Sequence, residues 1–201
     1  MSHNTWIHRL VQPMVEPLVG TAVSPNQITA LRLATGLGAA AAYAEGSSTW
    51  LNIGGALFLI SMLLDRADGI LARLSGKMSK VGHYFDLVSD SVCNAAIFVG
   101  LGIGLRSAPL GGWMVALGII VGLSIVFILS VVMWAEGQKG QRAAELRSVA
   151  GFDAEDSMVL IPVFVWLGWS LPLLYVSAIV TPLFALYFAW LHRRFFLRSA
   201  A

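Results

Sequence analysis

Apolar runs of membrane-spanning length follow one another along this 201-residue chain, and they constrain its fold more than any other feature. A helix crossing the hydrocarbon of a bilayer needs about 20 largely apolar residues, within a range of about 17–25. Six runs meet or approach that length, at about 28–43, 51–72, 83–105, 112–134, 158–169 and 173–191. The first is rich in glycine and alanine, and the fourth is the clearest. The last two form a tight pair with Pro172 at the turn. Composition agrees: 57% of residues are hydrophobic, 12% are charged, and mean hydropathy is +0.76. Those values exclude an ordinary soluble domain. The expected fold is all-α, one domain over residues 1–201, with six transmembrane helices between about 26 and 191.

Ahead of the first run, Trp6, Ile7, Leu10, Val11, Met14 and either Val15 or Leu18 recur at near-helical spacing beside His3, His8, Arg9 and Glu16. This predicts an amphipathic juxtamembrane helix over about 3–19. Pro13 and Pro17 leave an irregular arm as the alternative. The same segment lacks a continuous apolar core, so no cleavable leader is expected. Basic residues set the orientation. Arg9, Arg73, Lys77, Lys80, Lys139, Arg142, Arg147, Arg193, Arg194 and Arg198 fall on one side and only Arg106 on the other. The positive-inside rule then places both ends of this chain in the cytoplasm, in an inner-membrane protein. With a net charge of +2 and basic residues at membrane edges, nucleic acid is not an expected partner. The single cysteine, Cys93, reads as a small packing residue.

Four of the eleven acidic residues lie in one stretch of 26, between apolar runs. It reads D-x-x-D-G-x-x-A-R-x8-G-x-x-x-D-x-x-x-D and comprises Asp65, Asp68, Gly69, Ala72, Arg73, Gly82, Asp86 and Asp90. Carboxylates beside hydrocarbon are costly and need cations or water to compensate them. Asp65, Asp68 and Ala72 fall on one helix face, and Gly82, Asp86 and Asp90 on another. Two such faces across a short turn make an all-oxygen cage suited to Mg2+ or Mn2+ rather than zinc. No fixed cationic partner is evident beyond Arg66 and Arg73, so divalent metal is expected to be obligatory. Arg32 would be costly against lipid and is expected to face the polar cavity. His83 reads as a polar rim residue. Solvated helix ends are the bland alternative for the acids, but they leave the register of the glycines unexplained.

This pattern resembles the signature of the CDP-alcohol phosphotransferase family, with every position filled. The resemblance implies transfer of a phosphoryl-alcohol group from a CDP-alcohol to a second alcohol, with release of CMP, in phospholipid synthesis. It implies two metals, with Asp65 and Asp86 bridging both, Asp68 completing one site and Asp90 the other. It gives Asp90 the role of general base, while metal ligation alone remains open for that residue. Gly69, Ala72 and Gly82 would permit close approach, and Arg73 would hold a phosphate oxygen, with membrane anchoring as its alternative. Ser79 matches a nucleotide-contacting hydroxyl. Ser24, Pro25, Asn26, Gln27, Ile28 and Thr29 resemble the family's P-N-x-x-T segment, where Ser24 or Asn26 is also a candidate helix cap.

The resemblance leaves open which partner is the lipid. CDP-diacylglycerol with a soluble acceptor is favoured, against a soluble CDP-headgroup donor with a lipid alcohol. Lys139, Arg142, Arg147, Arg193 and Arg194 are candidates for a phosphorylated acceptor, with positive-inside anchoring as their alternative. Asp153, Glu155 and Asp156 pull toward hydroxyl-rich or cationic partners, or are a solvated loop. A cation transporter is the remote competitor, since intramembrane acids mark ion paths. The pairs Gly100/Gly104 and Gly118/Gly122 suit close helix packing. Within a homodimer implied by the resemblance, they are expected at the interface between protomers, with packing inside one bundle as the other use.

Overall fold

The computed structural model describes residues 6–139 and 158–198. Every regular element among them is helical: α1 (Trp6–Val15), a 3-10 turn (Glu16–Leu18), α2 (Pro25–Glu45), α3 (Ser48–Leu74), α4 (Lys80–Gly104), α5 (Trp113–Lys139), α6 (Leu160–Trp166) and α7 (Ser170–Arg198). Three of them are long and apolar enough to cross a membrane: α4, α5 over Trp113–Glu136, and α7 over Ser170–Leu191. By length, α2 and α3 are comparable at 21 and 27 residues. α2 is built largely from small residues, and α3 carries Asp65, Arg66, Asp68 and Arg73 toward its C-terminal end. The fifth expected span is corrected. Among the described residues it is the seven-residue α6, and the turn to α7 is made by Gly168 at φ 75° rather than by Pro172. Pro172 instead sits in the first turn of α7, where no helical N–H is required of it.

The expected N-terminal helix is present but short, α1 having 10 residues. Val11 and Val15 bury one face of α1 against Ile28, Ile70 and Leu71, while Leu10 and Met14 stay exposed. Pro13 lies inside this helix and Pro17 in the 3-10 turn that ends it. In the main bundle α2 packs on both α3 and α4, α4 on α5, α5 on α7, and α6 on α3. Its core joins Ala39, Ala40 and Tyr43 to Phe58, Ile97, Phe98, Leu101, Met114, Val121 and Leu174. Outer faces of α5 and α7 carry exposed Ile119, Leu123, Phe127, Ile179, Leu183 and Leu186, as lipid contact requires.

Glycine makes the close approaches. A β-carbon at Gly100 would run into the carbonyl of Ala40, one at Gly104 into that of Tyr43, and one at Gly118 into that of Phe98. Gly122 faces Ala95 and Val99 of α4. All four glycines are therefore used within the chain, α4 against α2 and α5 against α4, and the expectation that they form a dimer interface is corrected. Backbone approaching backbone is where a missing side chain matters most in lipid.

Candidate active site

The C-terminal half of α3 and the N-terminal half of α4 bring the four aspartates together, as their helical spacing predicts. What the spacing did not show is how fully α2 takes part. Arg32, with a side chain only 4% exposed, reaches from α2 into the middle of the acids. Its Nη1 lies 2.9 Å from Asp65 Oδ1 and 3.2 Å from Asp86 Oδ1, and its Nη2 donates to Asp90 Oδ1. Nη1 also donates to the backbone carbonyl of Asp86 at 3.3 Å. The fourth acid has its own partner, since Thr29 Oγ1 donates to Asp68 Oδ2 at 2.6 Å. Thr29 and Arg32 are three residues apart, so a single face of α2 serves all four carboxylates. Arg32 faces the polar cavity as expected, and it adds a fixed cationic partner beyond Arg66 and Arg73. Its burial at that place is what pairing demands of a charge in a poorly solvated interior.

Asn94 is a residue that sequence reasoning missed. Its Nδ2 donates to Asp90 Oδ1 at 2.8 Å, the oxygen that Arg32 also holds. The signal was available: Gly82, Asp86, Asp90 and Asn94 continue one i, i+4 series along α4. His83 is at the rim as expected and pairs with Glu136 Oε2 at 2.8 Å. Glu136 belongs to α5, which continues to Lys139. Lys139, Arg193 and Arg194 fall in the last turns of α5 and α7, with side chains outside the described set, and Arg142, Arg147, Asp153, Glu155 and Asp156 lie outside the described residues.

The helix ends that flank the cage form one surface. Ser24 caps α2 through a reciprocal box, Gln27 N to Ser24 Oγ at 3.3 Å and Ser24 N to Gln27 Oε1 at 2.9 Å. Ser79 caps α4 by accepting from Gly82 N at 3.0 Å. A β-carbon at Gly82 would sit 3.0 Å from both Asn26 Oδ1 and Ser79 Oγ, so the N-termini of α2 and α4 lie side by side. Gly69 opens onto free space, with the nearest atoms being Arg73 Nη1 and Nη2 at 3.9 Å from a β-carbon placed there. Ala72 is half-buried in the last turn of the same helix. Two positive helix ends, an arginine and a bare glycine face are a setting for phosphate oxygens.

Beneath the acids lies a cavity of about 220 Å³. Arg32, Asp65, Asp90 and Asn94 form its polar end, and Phe58, Leu59, Met62, Met158 and Val159 line much of the rest. As for metal, the donor set is four carboxylates and a hydroxyl, which suits a hard divalent ion in charge and atom type. Three of these acids already converge on a guanidinium, which stands as a cation among them. Among the described residues no three acidic, histidine or cysteine side chains, the four aspartates included, are gathered closely enough around one point to hold a metal ion as they stand.

Known proteins share this chain's family and fold. Residues 22–190 match the family described as CDP-alcohol phosphatidyltransferase. Over 196 residues the chain is 28% identical to the bifunctional IPC transferase and DIPP synthase of Aquifex aeolicus, covering 92% of this chain and 43% of that protein. It spans less than half the length of the curated relatives it matches. Its fold is similar to the phosphatidylinositol phosphate synthase of Mycobacterium tuberculosis. Against the structure with CDP-DAG bound, the TM-score is 0.68 at 20% identity, over 90% of this chain and 94% of that one. Against the complex with manganese and citrate it is 0.66 at 21% identity, over 90% and 88%.

Proposed function

The chain belongs to the CDP-alcohol phosphatidyltransferase family and is a multi-pass membrane protein, and on that premise we propose that it transfers a phosphatidyl group from CDP-diacylglycerol to the hydroxyl of a second alcohol. The observation that carries this reading is a cluster of four carboxylates, two of which, Asp65 and Asp90, line a largely apolar cavity. A lipid-linked pyrophosphate needs both: polar anchorage for its phosphates and an apolar space for the chains beyond them. The neighbouring N-termini of α2 and α4, with Arg73, offer that anchorage, and Gly69 leaves the nucleotide room against the backbone of α3. Ser24, Pro25, Asn26, Gln27 and Ser79 would line the nucleotide side.

In this reading the acceptor oxygen forms a bond to the phosphorus that bears diacylglycerol. The bond from that phosphorus to the bridging oxygen breaks, and its electron pair leaves with CMP. Asp90 takes the proton of the attacking hydroxyl. Arg32 and Asn94 both hold Oδ1 of Asp90, which leaves Oδ2 for the metal or the proton. Asp65, Asp68, Asp86 and Asp90 would hold two divalent cations, Mg2+ or Mn2+, which when bound neutralise the pyrophosphate and the charge developing on CMP. The manganese in complex with the similarly folded Mycobacterium tuberculosis protein supports this choice of ion. That protein is a phosphatidylinositol phosphate synthase, which supports a phosphorylated inositol as acceptor, with Lys139, Arg142, Arg147, Arg193 and Arg194 as the basic residues available to it. A multi-pass helical bundle, a cytoplasmic cage and a homodimer formed through outward apolar faces of α4 and α5 complete the proposal.

The test is incubation of the purified protein with labelled CDP-diacylglycerol and a panel of alcohols that includes inositol phosphate, followed by lipid separation and CMP assay. A labelled phospholipid is expected, lost on chelation with EDTA and restored by Mg2+ or Mn2+. Full turnover after exhaustive chelation would remove the metals. CMP release only from a water-soluble CDP-alcohol with a lipid acceptor would put the lipid on the other side of the reaction. Cation uptake into vesicles without CMP release would favour transport.

A further inference from the structure

Arg32 is placed to do more than balance charge. It is attached to a fixed stretch of α2: its carbonyl accepts from Ser61 Oγ at 3.0 Å, and Gly36, one turn on, lies against Cys93 of α4 with no room for a β-carbon. Backbone movement at this point would separate three helices. The side chain is different. It ends at a cavity of about 220 Å³ that Arg32 itself lines, so the guanidinium has space to move into without disturbing the backbone. One nitrogen, Nη1, takes Oδ1 of both Asp65 and Asp86, the two acids assigned above to both cations. Guanidinium and divalent ions would therefore draw on the same oxygens, and like charges so close together repel strongly.

We propose that Arg32 is an exchangeable counter-cation: its guanidinium holds Asp65 and Asp86 in register and yields their oxygens when divalent metal binds. The inference rests on the metal-binding reading of the aspartates. The release is local. Nη2 and Asn94 keep Asp90 in place through Oδ1, and Thr29 keeps Asp68, so two of the four acids retain their partners while the other two change theirs. Arg32 is thereby a positioning residue, acting through carboxylates. It keeps acids that would repel one another from turning apart, at the expense of metal affinity.

Mn2+ binding followed by electron paramagnetic resonance tests this without reference to turnover, using the full chain in detergent and the variants Arg32→Gln, Arg32→Lys and Asp86→Asn. Removing the competing charge in Arg32→Gln should tighten Mn2+ binding about tenfold or more relative to the unmodified protein. Its thermal stability in EDTA should fall, and Mn2+ should restore it by a larger shift than in the parent. Arg32→Lys should bind with affinity between the two. Equal or weaker Mn2+ binding by Arg32→Gln would overturn the proposal, since Arg32 would then be inert or supportive toward the metal. The reading beneath it fails differently: the parent protein and Asp86→Asn would then bind Mn2+ equally. Should Arg32→Gln not fold, 15N-arginine spectra of the parent protein decide. The Arg32 guanidinium signal, assigned by its loss in Arg32→Lys, should shift on Mg2+ addition, and an unmoved signal at saturating metal would overturn the exchange.

Discussion

The two ends of the α2–α3–α4 unit solve opposite problems with the same helices. At one end, Arg32 and Thr29 on α2 reach Asp65, Asp68, Asp86 and Asp90 on α3 and α4, so side chains set the distances. At the other, Gly100 and Gly104 of α4 lie against the carbonyls of Ala40 and Tyr43, and Gly54 of α3 accepts the ring of Tyr43, so the absence of side chains sets them. The polar end holds a cavity, while the glycine end is filled to the backbone. The difference shows how a membrane helix bundle can keep an open, charged site: the helices are clamped at the end away from it. Chemistry and stability should therefore separate along the length of the same three helices.

The largest expected effect is at the polar end. Asp86→Ala should lower turnover by about three orders of magnitude, because it removes a carboxylate proposed to hold both cations. Arg32 keeps Asp65 and Asp90 as partners, so the variant should still purify with an unfolding midpoint close to that of the parent. A collapse in stability with turnover per folded molecule preserved would reverse the comparison. Gly100→Val attacks the other end. Its β-carbon meets a carbonyl that cannot rotate away, and overpacking of this kind costs about 3 kcal/mol. Unfolding in detergent should show that loss, while Gly112→Ala, where no atom lies within 4 Å of the added carbon, should show none. Gly118→Leu should likewise damage the fold rather than dissociate a dimer. The smallest effect sharpens the boundary between the two ends. Ser24→Ala removes the cap of α2 without touching an aspartate, so stability should drop by about 1 kcal/mol in the same unfolding assay.

Much of the polar end was legible because helical spacing is a one-dimensional property. Asp65 and Asp68 follow from i, i+3, and Asp86 and Asp90 from i, i+4, and the short connection between α3 and α4 leaves those faces little freedom but to meet. Asn94 continued the same series and went unread only because amide side chains do not announce chemistry. Arg32 was legible as a buried charge in an apolar helix, but its partners were not, since they are 33, 54 and 58 residues away in sequence and their choice depends on how α2 is rotated.

By itself the sequence determined the membrane setting, the helical class, the boundaries of most elements to within a few residues, and the residues of the cage. Each of these depends on local composition or on the period of a helix, quantities that need no knowledge of neighbours. Only the tertiary structure decided that the glycine pairs serve contacts inside one chain, that the turn before α7 belongs to Gly168, that Glu136 is a helical partner of His83, and that one guanidinium binds three aspartates. A glycine four residues from another permits close approach to any helix, and a buried arginine requires acids without specifying which. Those choices are made by the rotation and register of whole helices, which packing against distant segments selects.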